Sequence, residues 1–165
     1  MGNFFHKINK ISFYFRYNFK RYLRLFFRIN QKIYIENKKI LLPPGHLLSL
    51  YQSIYPEYDK FLPKVISKIK DDESIIDIGA NIGDTLFRLI NKNAKPYYYC
   101  IEADNFFFDY LQKNKKLLDL NLQNKVTLIK ELVGDQLRGN LSKSTTGTKS
   151  LIQSNFGIKS RKLDD

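Results

Sequence analysis

The chain has 165 residues, room for one domain with a real core and little more. Hydrophobic residues make up 43%, which argues against wholesale disorder, and Lys and Arg outnumber Asp and Glu by 28 to 16, a net charge of +12. A single cysteine, Cys100, excludes an internal disulfide and a cysteine-built zinc site, and no metal site is expected.

Residues 1–30 read as a basic, aromatic amphipathic helical arm. At about 100° per residue, Ile11, Phe15, Tyr22, Phe26 and Ile29 share one face, with Phe19 and Leu25 at its margins. Arg16, Lys20, Arg24 and Arg28 recur every four positions on the other side, with Arg21 beside them. The first thirty positions carry seven Lys or Arg, and no acidic residue precedes Glu36. An anionic partner would relieve that like-charge repulsion, so residues 11–29 are candidates for membrane-surface contact. The competing expectation, slightly preferred, is that the apolar face packs on the domain. Nucleic acid is the least favoured partner, because the aromatics follow helical spacing rather than forming an open stacking platform.

Residues 31–72 form the hairpin and helix preceding the core. Lys32 to Ile35 and Lys39 to Leu42 alternate around a turn at Glu36-Asn37, and Pro43-Pro44-Gly45 stops the second strand. A helical pattern begins between His46 and Tyr51 and is interrupted by Pro56. Tyr58, Phe61, Val65, Ile66 and Ile69 form a second amphipathic run, with Pro63 near its start.

Residues 73–165 carry the diagnostic order. Ser74 to Ile78 is a short apolar strand, Gly79 to Gly83 a turn, and Asp84 to Asn91 a helix packing Leu86, Phe87, Leu89 and Ile90. Tyr97 to Ile101 is a second strand, and Cys100 within it is read as a buried small residue rather than a nucleophile. Asp104 caps a helix running to about Leu118, with Phe107, Tyr110, Leu111 and Leu118 on one face. Val126 to Ile129 is a third strand, which Leu132-Val133 extends or follows. Strand, helix, strand, helix, strand predicts an α/β fold with a parallel sheet and right-handed crossovers. After Gly134 the chain turns polar and shows no further clear helix. No run approaches the length of a transmembrane helix and no signal peptide is recognised, so the expected location is cytoplasmic, with peripheral contact at the inner membrane face as an option.

The glycine turn is the sharpest chemical signal. A strand feeding a glycine turn and a helix places free backbone N–H groups and a positive helix end at the sheet's carboxyl edge. Gly79 and Gly83 stand four apart, unlike the G-x-G-x-x-G dinucleotide fingerprint. Asp77 at the strand end would repel a pyrophosphate but suits a cationic cofactor such as S-adenosyl-L-methionine, which carries a sulfonium and no phosphate. Glu102, 25 positions after Asp77 at the end of the next strand, is placed to accept hydrogen bonds from ribose hydroxyls.

The run from Asp77 to Thr85 (DIGANIGDT), followed by Cys100 to Asp104 (CIEAD), resembles the FkbM family of methyltransferases over about residues 42–165. The resemblance implies a partial class I methyltransferase, Rossmann-like sheet with an N-terminal helical extension. It implies methyl transfer from S-adenosylmethionine to a hydroxyl of a small molecule, sugar or glycan. By that likeness Asp77, Gly79, Asn81, Gly83 and Glu102 line the cofactor, Asp84 and Thr85 support the turn, and Asp135 lies near the adenine. No catalytic residue is assigned. His46, the only histidine in that region, is read as a helix-start or surface residue in preference to a base.

Family members continue, past the point matching Leu163-Asp164-Asp165, into a strand that ends in an acidic residue and glycine. The expectation is therefore a truncated cofactor-binding half, with Ser74 to Ile78 an unprotected edge, dependent on a complementing C-terminal fragment. The alternative expectation is a catalytically inactive fragment or a membrane- or glycan-associated binding module.

Overall fold

The computed structural model describes residues 2–55, 57, 61–70, 73–134, 138–142, 149, 151–153 and 157–162, with backbone alone for residues 2–13 and 153. Helix α1 (Gly2–Phe26) leads into an antiparallel hairpin of β1 (Gln31–Ile35) and β2 (Lys38–Leu42). Its turn residues Glu36 and Asn37 both take positive φ, as a tight two-residue hairpin requires. Two short helices follow, α2 (Leu48–Ile54) and α3 (Leu62–Ile66). Within the predicted run lies a five-residue helix in which Ile66 is buried and Val65 exposed, with the exposed Phe61 just before it. Tyr58 itself lies outside the described residues.

The core is the predicted α/β unit: β3 (Ser74–Ile78), α4 (Asp84–Lys92), β4 (Tyr97–Ile101), α5 (Asn105–Lys115), α6 (Leu120–Gln123) and β5 (Val126–Ile129). The three strands are parallel in the order β3-β4-β5, with Asp77 beside Cys100 and Cys100 beside Leu128. Parallel strands need covered faces, and α4 and α5 cover one. Leu86, Phe87, Leu89 and Ile90 of α4 and Phe107, Tyr110 and Leu111 of α5 are buried there with Tyr98, Cys100 and Val126. The other face is partly open, with Ile76, Ile78 and Tyr97 each more than half exposed. Among the described residues no strand pairs with the outer edge of β3.

Beyond β5 the described residues include four further short strands and no helix. β6 (Leu132–Val133), β7 (Arg138–Leu141), β8 (Leu151–Gln153) and β9 (Ile158–Arg161) form a small sheet in the order β6-β9-β7-β8.

Side chains of α4 and α5 tie the hairpin to the core: Asn91 of α4 donates to Ile35 O (3.4 Å) and to Glu36 O, and Asn114 of α5 makes the most extensive link. Asn114, fully buried on α5, accepts from Leu41 N (2.8 Å) and donates to Leu41 O (3.0 Å) and Ile82 O (2.8 Å). It therefore joins β2 to the glycine turn.

Helix α1 docks on a mixed polar face rather than on its aromatic stripe. Tyr17 meets Ser49 Oγ (3.2 Å), Arg21 Nε donates to Gly45 O (3.0 Å) and Arg24 Nη1 donates to Gln31 Oε1 (2.9 Å). The half-buried Leu25 packs against Gly45. The expectation that the apolar face packs on the domain does not hold: Phe15, Phe19, Tyr22 and Phe26 all point to solvent.

Candidate functional site

A crevice of about 260 Å³ opens at the carboxyl ends of the parallel strands, lined by Gly79 and Asn81 from the turn after β3 and Glu102 and Ala103 after β4. Phe107 and Lys149 form another part of its wall, and Glu131 to Val133 a third. Each part follows from local sequence. The turn cannot continue β3 because Gly79 (φ 79°), Asn81 (φ 50°) and Gly83 (φ 91°) are left-handed, which glycine adopts freely and Asn tolerates. Gly79 N and Ala80 N both donate to Ile101 O at 2.9 Å, folding the turn back over β4. A Cβ on Gly79 would meet no atom within 4 Å, so that backbone faces open space.

Glu102 organises the crevice. One carboxylate oxygen accepts from Asn81 N and the other from Asp104 N, both at 2.8 Å. The side chain thus staples the glycine turn to the start of α5. Burial raises its pKa above the usual carboxylate value, and the backbone amides oppose that shift. The amide of Ala103 adds to the same effect.

Asp104 caps α5 by accepting from Phe107 N (3.0 Å), and its other oxygen pairs with Lys149 Nζ at 2.5 Å. Both side chains of that pair are largely buried. Glu131 pairs with Arg161 at 3.1 Å. Of the charged residues lining the crevice, Lys149 and Glu131 are therefore each balanced by a partner. The Glu102 carboxylate remains, and it favours a cation over a pyrophosphate.

The predicted site residues divide. Gly79, Asn81 and Glu102 come together in the crevice. Asp77 does not line it: on β3 it alternates with Ile76 and Ile78 and shares the face of Ile75 and Cys100, turned toward the helices. Gly83 is buried beneath the turn, where a Cβ would meet Leu111 Cδ1 at 2.8 Å, and its N–H donates to Ala80 O. Asp84 and Thr85 open α4, half-buried, outside the crevice lining. Asp135 lies outside the described residues. Lys149 and Phe107 were missed as site residues. Phe107 carries a signal of sorts, since it is an aromatic on the first turn after the Asp104 cap, whereas Lys149 reaches the crevice only through the fold.

His46 precedes α2 by two residues, outside the Leu47 cap, and is buried rather than at a helix start or the surface. Its Nδ1 accepts from Leu48 N (3.2 Å), so the neutral ring carries its proton on Nε2. It stands edge-on to Phe107, with ring centroids 6.0 Å apart. Burial lowers its pKa from 6.5 to about 4, while the Asn81 side chain acts the other way. Cys100 is buried as predicted, and burial lifts its thiol to about 12, which removes it as a nucleophile at neutral pH. Among the described residues no group of three or more His, Cys, Asp or Glu could hold a metal, and no helix is long and apolar enough to cross a membrane.

The fold is an α/β unit with a parallel sheet, and its crevice lies where parallel strands end and a glycine turn begins. No family pattern and no curated protein matches the chain. Among solved structures it is similar to M. jannaschii TYW2 in complex with AdoMet, at 21% identity and a TM-score of 0.47 over 62% of this chain and 43% of that one. It is similar to a SAM-dependent methyltransferase from Agrobacterium tumefaciens, at 11% identity and a TM-score of 0.46 over 62% of this chain and 32% of that one. A methyltransferase FkbM from Methylobacillus flagellatus is 25% identical, with a TM-score of 0.35 over 46% of this chain and 21% of that one. The chain spans less than half the length of each of these structures.

Proposed function

We propose that residues 74–134 form the cofactor half of an S-adenosylmethionine-dependent methyltransferase of FkbM type, acting on a hydroxyl oxygen of a sugar or other small molecule. The carrying observation is Glu102, which lines the crevice while holding both flanking loops through backbone amides. A carboxylate at this strand end suits the hydroxyls of a ribose, and its charge suits a cationic ligand. The cavity, about 260 Å³, sits just under the ~300–1,000 Å³ common for small-molecule pockets, a size that fits the nucleoside portion of such a cofactor. S-adenosylmethionine would supply an electrophilic methyl group, transferred to the acceptor oxygen as that oxygen loses its proton.

The chain's own residues have distinct tasks in this reading. Gly79 leaves its backbone open to close approach, and Asn81 is fixed beside it by the Glu102 bond. Gly83 and the start of α4 hold the turn from below. Asp77, behind the strand, contributes a negative field rather than a contact. A second reading, a binding module that does not turn over alone, is favoured by the edge of β3, left unpaired among the described residues, and its half-exposed isoleucines.

The test is calorimetric titration with S-adenosylhomocysteine, comparing the chain with Glu102→Ala. Binding that weakens by about tenfold or more in the variant supports the assignment, the change expected for losing one charged hydrogen-bonding group. A chain that is folded by circular dichroism and binds nothing overturns it.

A further inference from the structure

The outward face of α1 is an aromatic stripe bordered by positive charge. Phe15 is 74% exposed and Phe26 81%, and Phe19 and Tyr22 lie between them on the same side. At about 100° per residue these four fall within roughly one sixth of the helix circumference. Leu23 follows, also exposed, and then Arg16 and Lys20, both exposed. The opposite side is occupied: Tyr17, Arg21, Arg24 and Leu25 hold the helix on the hairpin and on the segment around Gly45. Past the helix, Phe27, Arg28 and Ile29 are exposed as well.

A helix that docks through hydrogen bonds and turns its aromatics outward is arranged oppositely to one that packs on a core. We propose that this face binds an anionic phospholipid surface, with Phe15, Phe19, Tyr22 and Phe26 entering the headgroup boundary and Arg16, Lys20 and Arg28 meeting lipid phosphates. Charge complementarity selects the occupant. Seven Lys or Arg and no Asp or Glu occupy the first thirty positions, so the arm carries no carboxylate to offset its own repulsion. Basic residues flanking a Phe-rich face on one helix match an interfacial helix lying in the plane of a membrane. Because the Arg21 and Gly45 contacts fix α1 on the domain, such binding brings the whole α/β unit to the surface rather than a loose tail. This surface is separate from the crevice, and its failure leaves the cofactor reading untouched.

The experiment uses the full chain with Phe26→Trp, the sole tryptophan in a sequence that has none. It is titrated with vesicles of phosphatidylcholine alone and of phosphatidylcholine mixed with phosphatidylglycerol, and followed by fluorescence and flotation. The expected result is a blue shift and flotation with the anionic vesicles, weakening steeply as salt is raised. Arg16→Glu with Lys20→Glu should weaken binding about tenfold or more. Phe15→Ser with Phe19→Ser should do the same with no change in the melting curve, since both positions face solvent.

Equal binding to both vesicle types overturns the electrostatic part of the proposal. No binding by a folded chain overturns all of it. A dimer seen by sedimentation that the two serine substitutions dissolve assigns the stripe to a second copy instead. Salt-sensitive binding to single-stranded RNA with none to vesicles overturns it in favour of nucleic acid.

Discussion

Asn114→Leu removes one buried amide and keeps the side-chain volume, so its effect isolates hydrogen bonding from cavity formation. In the native fold Asn114 serves three groups, Leu41 N, Leu41 O and Ile82 O. At about 1 kcal/mol net for each bond, the loss comes to about 3 kcal/mol. It grows where the abandoned backbone groups stay buried, because each then keeps its desolvation cost. Against the ~5–15 kcal/mol typical of a domain this is a large fraction. For a chain of this length it corresponds to a melting temperature lower by about 6–12 °C. Urea unfolding and thermal melts followed by circular dichroism measure it, with the exposed Gln112→Leu on the same helix as control, expected to change stability by no more than about 0.5 kcal/mol. Hydrogen exchange adds a local reading, since the Leu41 amide should lose protection before the amides of β4. A loss below about 1 kcal/mol, or one matched by the control, would refute the claim that this amide joins the hairpin to the core.

Three further outcomes follow from the same geometry. His46 has a folded pKa of about 4 against 6.5 unfolded, so the unfolded chain binds more protons between those values. Its contribution to stability is complete above pH 6.5 and falls as the pH drops toward 4, by roughly 3 kcal/mol in all. The stability difference between the chain and His46→Gln, measured by urea unfolding across that range, should reproduce the slope, and a flat difference would contradict it. Gly83→Ala forces a Cβ to within 2.8 Å of Leu111 Cδ1 at φ 91°, and should cost about 2–4 kcal/mol in the same assay. Gly45→Ala places a Cβ 2.5–2.9 Å from the Leu25 side chain, so α1 should lift and trypsin should cut faster at Arg21 and Arg24, while unchanged cleavage would deny that this contact holds the helix.

Much of the α/β unit was legible because local rules and the fold agree there. Ser74 to Ile78 is apolar and bounded by a glycine turn, Asp104 is a cap by side-chain chemistry, and the helices bury the faces that their spacing marks. Gly79 and Glu102 were singled out from their places at strand ends, and Asn81 through the family resemblance; the structure brings all three to the crevice. Lys149 was not singled out, since its place beside Asp104 depends on how β7 and β8 fold back, far along the chain. Those strands and β9, with residues such as Gly139, Asn140 and Lys159, lack clean apolar alternation, so pairing rather than pattern defines them. Asn114 left a readable trace. It falls on the spacing of Phe107, Leu111 and Leu118, and a lone amide on a buried helix face asks for partners. For α1 the pattern marked the apolar side correctly, but periodicity says nothing of which side meets the domain, and hydrogen bonds from Tyr17 and Arg21 decide it.

The outer edge of β3 bears on how this protein behaves in a tube. Among the described residues no strand covers this edge, and an uncovered edge flanked by half-exposed isoleucines is a template for pairing with another copy. A net charge of +12 keeps such copies apart only over distances that the buffer permits. With a screening length of ~30 Å at 0.01 M salt and ~10 Å at 0.1 M, moderate ionic strength removes most of that barrier. Colloidal stability should therefore fall as salt is added, and light scattering at fixed protein concentration should rise. Ionic strength is then the variable that decides whether the edge stays a surface or becomes a contact.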